Sequence, residues 1–96
     1  MKPKGKPQVR IIALLEYELA SDLGYWGDHT AKWETSIIMY LRPELVDMSR
    51  LTDLLGVDGE DPRVYASREL GERVVELIVR RLCERVEASL AELRLS

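Results

Sequence analysis

The sequence predicts an α/β protein: one or two strands, a loop, and two or more helices of which the last is long. Three observations carry that expectation. Val9, Ile11, Ile12, Ala13, Leu14 and Leu15 form a short, nearly continuous apolar run that begins β-branched, the pattern of a buried strand. Trp33, Ile37, Ile38 and Leu41 recur at helical spacing, with Met39 and Tyr40 widening the apolar face. Leu70, Val74, Leu77, Ile78, Leu82, Val86, Leu90 and Leu93 form a much longer stripe of the same kind.

Taken in order, residues 1–8 alternate Lys2, Lys4 and Lys6 with Pro3, Gly5 and Pro7, which predicts a basic, flexible N-terminal tail. Residues 9–96 are then expected to form a single partial domain, because a lone buried-type strand needs neighbours for its backbone groups. A strand over Val9–Leu14 competes with a helix reaching Leu19, because Leu15 to Ala20 tolerate helix equally well. Ser21 to Thr30 read as a loop, since Gly24 and Gly27 break both periodicities. The helix that follows takes Asp28 or Thr30 as its cap. Pro43 stops it near Leu41, because proline lacks the amide donor and disfavours helix in the residue before it. Arg42 to Leu55 predict a turn and short helical pieces, and Gly56 to Pro62 an acidic loop. Ser67 is the expected cap of the last helix, with Glu69 in its first turn. At about 25 residues that helix would run roughly 38 Å. Its stripe is longer than so small a chain can cover, so something else is expected against it.

The 96 residues are 46% hydrophobic and 32% charged, a globular composition. A net charge of −3, from 14 basic and 17 acidic residues, argues against nucleic-acid binding, which favours a basic surplus. No apolar run reaches the ~20 residues of a membrane span, so no membrane association is expected. Ile11 to Leu15 are too few for the apolar core of a secretory leader. The single cysteine, Cys83, rules out an internal disulfide and fits a reducing compartment, so the expected location is cytoplasmic.

Chemistry-bearing motifs are few. The sequence holds no glycine-rich phosphate loop, no Cys-x-x-Cys and no His-Glu-x-x-His. His29 is the only histidine, so one copy cannot build a multi-histidine zinc site. Cys83, inside the long helix, is expected to be a buried, inert thiol. His29 follows Asp28 and lies between Trp26 and Trp33 where loop meets helix, a position suited to proton transfer near neutral pH. A surface histidine beside a capping aspartate explains the same residues. Trp26 and Trp33 fit packing as well as a substrate wall.

Asp28-His29-Thr30-Ala31-Lys32-Trp33-Glu34-Thr35-Ser36, followed by the apolar run to Leu41 and Arg42-Pro43-Glu44-Leu45-Val46, resembles the creatininase (creatinine amidohydrolase) family. The likeness is to that family's His-Ala-Gly-x-x-Glu-Thr-Ser signature and the Leu-x-Pro-x-x-Val stretch after it. Gly56-Val57, Gly59 to Pro62, and Ala66 to Gly71 are similar to the family's ending before a last helix, so the resemblance spans Val9 to Leu95. It implies the C-terminal part of a creatininase-like α/β sandwich. The implied activity is metal-dependent hydrolysis of a non-peptide C–N bond, of the cyclic amide or formamide class.

By the same resemblance His29, with Asp28 before it, is catalytic in proton transfer. Tyr25 and Trp26 bind substrate, and Glu34 supports the loop and the site. Thr30-Ala31 replaces the family's Ala-Gly. The family's N-terminal Glu-x-His and Asn-Gly-His segments, which carry its divalent metal (Zn or Mn), have no counterpart here, so no residue of this chain is assigned as a metal ligand. The expected partners are a complementing N-terminal chain and further copies in a homo-oligomer, with no activity expected of this chain alone. The alternative is a non-catalytic remnant acting as a small oligomerisation or interaction module.

Overall fold

The structure, a computed structural model, describes residues 9–95; the basic tail over residues 1–8 and Ser96 lie outside the described residues. The α/β expectation is overturned. The described residues are mostly helical and contain no strand or sheet; the sole β-pairing among them is an isolated antiparallel bridge between His29 and Asp58.

Val9 to Leu15 have no regular secondary structure. A strand exists only where a ladder partner takes its backbone groups, and the neighbour of this segment is a helix. Arg10 reaches Glu92 at 2.8 Å, and Ile11 to Ala13 border a groove with Arg85, Ala88 and Ser89. Val9 and Ile11 stay exposed, at 76% and 84%. The segment is therefore an apolar strap laid along a helix. Its apolar residues read as a strand because composition reports burial potential and says nothing of the partner.

Two 3₁₀ turns follow, Glu16–Leu19 and Ser21–Leu23. The first ordinary helix, α1, spans Lys32–Leu41. Its start is fixed by Asp28, whose carboxylate accepts from Trp33 N at 2.7 Å and Glu34 N at 2.9 Å, two amides that the first helical turn leaves without partners. Its end falls at Leu41, two residues before Pro43. Turns Pro43–Leu45 and Met48–Arg50 lead through an acidic loop to the one-turn α2, Pro62–Tyr65. Helix α3 spans Arg68–Leu95, about 42 Å at 1.5 Å per residue. Ser67 caps it, its hydroxyl accepting from Leu70 N at 3.0 Å.

α1 and α3 cross at Ser36 and Gly71. A Cβ on Gly71 would lie 1.8 Å from the Ser36 carbonyl oxygen, so a hydrogen at this position is a steric requirement. The buried Ser36 hydroxyl accepts from Ser67 N at 3.0 Å and sits 2.5 Å from Lys32 O, tying the two helix starts together. Around the crossing lies a small core of Ala20, Tyr25 and Val74, flanked by Tyr17, Trp33, Ile37, Leu70, Leu77 and Ile78.

That core covers only the first part of α3. The molecule measures 62 × 25 × 23 Å with a radius of gyration of 18.3 Å. A compact domain of this length would have about 12 Å. Beyond Ile78 the helix continues with Val79, Leu82, Val86 and Leu90 exposed. Arg81 marks the boundary, bonding Leu19 O at 2.7 Å and Asp22 at 2.6 Å.

Candidate functional site

The signature residues gather at one corner, where the loop before α1 meets the loop before α2. His29 exchanges both backbone hydrogen bonds with Asp58, at 3.0 and 2.9 Å. Lys32 N donates to Glu60 O at 3.0 Å, and the Lys32 ammonium lies 3.2 Å from the Glu60 carboxylate. Thr30 adopts a left-handed backbone with φ of 51°, rare for a β-branched residue. Three contacts hold it there: its amide donates to Glu34 Oε1 at 3.2 Å, and its hydroxyl lies 2.8 Å from His29 O and 3.2 Å from Gly56 O. Asp28 bonding forward into α1 and Glu34 bonding back to Thr30 form a reciprocal cap around His29.

The two loops approach closely because Gly59 permits it. With φ of 137°, this residue occupies a region nearly closed to other residues, and a Cβ would lie 2.7 Å from the Ala31 methyl. What the sequence does not reveal is therefore the pairing with Asp58, the close approach at Gly59 and the left-handed backbone of Thr30. The paired glycines Gly56 and Gly59 were their only signal, and which loop they would meet was not encoded locally.

The side chains singled out in sequence separate. His29 is exposed, and its imidazole has no hydrogen bond or ion pair among the described residues. Both Asp28 oxygens accept from α1 amides, so this carboxylate works as a helix cap. Glu34 is exposed and supports the loop through Thr30. Tyr25 is 4% exposed, its ring 5.4 Å from Trp33 in a stacked arrangement and its hydroxyl donating to Glu16 at 2.9 Å. Burial, reinforced by Glu16, raises its phenol well above the usual value of 10.0. Tyr25 is thus a core residue, while Trp26 stands on the surface at 69% exposure. The two aromatics point to different environments although adjacent in sequence. Cys83 is exposed, correcting the expectation of a buried thiol: it lies on the part of α3 that the core does not reach.

A groove of about 340 Å³ opens beside the corner, bordered by Thr30, Glu34, Ile38, Leu45, Met48 and Leu51. His29 does not line it. Its floor is apolar, and Glu34 and Asp47 supply carboxylates at its rim.

The described residues do not fit a divalent metal. No three His, Cys, Asp or Glu side chains among them gather into a binding group, and Asp28, the carboxylate next to His29, is committed to backbone amides. Among the described residues no helix is long and apolar enough to cross a membrane. No protein-family model, curated protein or solved structure matches this chain.

Proposed function

We propose that this chain is a non-autonomous, creatininase-like amidohydrolase segment, which presents His29 to a site completed by another polypeptide. The reading concerns the His29 corner and not an α/β fold, since the described residues hold no strand or sheet. One observation carries it: His29 is pinned by its backbone on both sides, with Asp28 and Glu34 each engaged in holding the loop, while the imidazole is left exposed and without a partner among the described residues. Such an arrangement fixes where an imidazole points from without prescribing what it meets. Hydrolysis of a cyclic amide or formamide needs a proton delivered to the departing nitrogen. An imidazole titrates in the range where it can give and regain that proton. The divalent metal of the family, Zn or Mn, would have to be held by the other polypeptide, since the described residues gather no ligand set.

Mixing the purified chain with a candidate N-terminal polypeptide and Mn²⁺ or Zn²⁺, then assaying cyclic amide and formamide hydrolysis, tests the reading. Turnover is expected only with both chains present, and His29→Asn should lower it by at least about a hundredfold. Absence of turnover in the mixture, or turnover indifferent to His29, removes the enzymatic reading.

A second reading has its own support. Val9, Ile11, Leu15, Val79, Leu82, Val86 and Leu90 are exposed apolar side chains on the strap and the outer half of α3, as in an oligomerisation or interaction module. On that reading His29→Asn leaves self-association unchanged.

A further inference from the structure

The apolar residues of α3 lie on two faces. Leu70, Val74, Leu77 and Ile78 face the core. At 100° per residue, Val75, Val79, Leu82, Val86, Leu90 and Leu93 lie about a third of a turn away. The strap does not occupy that second face, because it borders Arg85, Ala88, Ser89 and Glu92, which continue the core side of the helix. Val79, Leu82, Val86 and Leu90 are accordingly 53%, 39%, 39% and 45% exposed.

We propose that this outer face of α3 pairs antiparallel with the same face of a second copy of the chain, in a register centred between Glu84 and Arg85. Charge complementarity identifies the occupant. Along one flank of the stripe stand Glu76, Arg80, Glu87 and Arg94, all exposed and alternating in sign. Turning a second copy end over end reverses that order, so each acid meets a base: Glu76 opposite Arg94, and Arg80 opposite Glu87, each occurring twice by the two-fold symmetry. The offsets along the axis are about 1.5 Å for Glu76 with Arg94 and about 3 Å for Arg80 with Glu87, at 1.5 Å per residue.

The apolar stripe selects the same register independently. Its spacing sets Val75 opposite Leu93, Val79 opposite Leu90 and Leu82 opposite Val86, each within about 1.5 Å along the axis. A parallel pairing would place this charged flank against the strap side of the partner and lose the match. On the other flank Arg85 approaches its own copy. This single like-charge meeting lies beside the strap and opposes four attractive ones. The proposal does not rest on the amidohydrolase reading, and its test uses no activity.

Sedimentation velocity at low ionic strength, with far-UV circular dichroism as the folding control, decides it. The unaltered chain should be a dimer at micromolar concentration, and Leu82→Glu a monomer. Should Leu82→Glu fail to fold, the exposed charges still discriminate. Arg80→Glu sets like charges opposite each other twice and should weaken association at least about tenfold, and Arg80→Glu with Glu87→Arg should restore it to within about threefold. A chain that stays monomeric at high concentration overturns the proposal. So does a dimer indifferent to the Arg80 change, or one that the double exchange fails to rescue.

Discussion

The two halves of α3 obey the same local rules and meet different fates. From Arg68 to Ile78 the helix is capped by Ser67, crossed by α1 at Gly71 and backed by the buried Val74. From Val79 to Leu95 it has equal helical periodicity, with a strap tied on by the exposed Arg10–Glu92 pair and an apolar face open to solvent. The difference lies in partners, not in propensity. Most helical stability in proteins comes from packing an amphipathic face, so the outer half is held mainly by continuity with the inner.

The largest effect should come from closing the space at the crossing. Gly71→Ala improves helix propensity by about 1 kcal/mol yet drives a methyl into the Ser36 carbonyl. It should cost more than about 3 kcal/mol net, or abolish cooperative folding, in urea melts. The two halves can then be compared at matched residues. Val74→Ala, in the core, should cost about 2 kcal/mol, whereas Val86→Ala, measured in dilute solution, should change stability by less than about 0.5 kcal/mol. Removing the cap that defines α1 is intermediate: Asp28→Ala frees two amides and should cost about 1 kcal/mol, with a loss of helical signal.

The pH response sharpens the contrast further. The Tyr25 phenol is raised in the folded chain, so the stability it contributes is complete below its ordinary value of 10.0 and lost as pH rises above it. Near-ultraviolet circular dichroism should therefore report loosening of the inner half above pH 10, and Tyr25→Phe should flatten that dependence. The outer half, which does not pack on Tyr25, should show no such step.

These elements also mark how much of the molecule was legible in its sequence. Asp28 as a cap, Pro43 as a stop and Ser67 as a start are rules acting within a few residues, and α1 starts and stops, and α3 starts, where those rules place them. The strap was not legible, because Val9 to Leu15 carry a strand's composition and a helix for a neighbour. Tyr25 and Trp26 were read as one pair, and only tertiary packing sends one inward and the other outward. At the candidate site the sequence pointed to His29, Asp28 and Glu34. The bridge to Asp58 and the approach of Gly59 depend on a loop about thirty residues away that no local pattern connects to it.

Amide hydrogen exchange along α3, followed as a function of chain concentration, tests most directly whether the outer half is an interface awaiting its partner. In dilute solution amides beyond Leu82 should exchange at least about a hundredfold faster than those from Leu70 to Ile78, and the gap should close as concentration rises. Uniform protection along the helix at high dilution would contradict this, as would a gap that no concentration narrows.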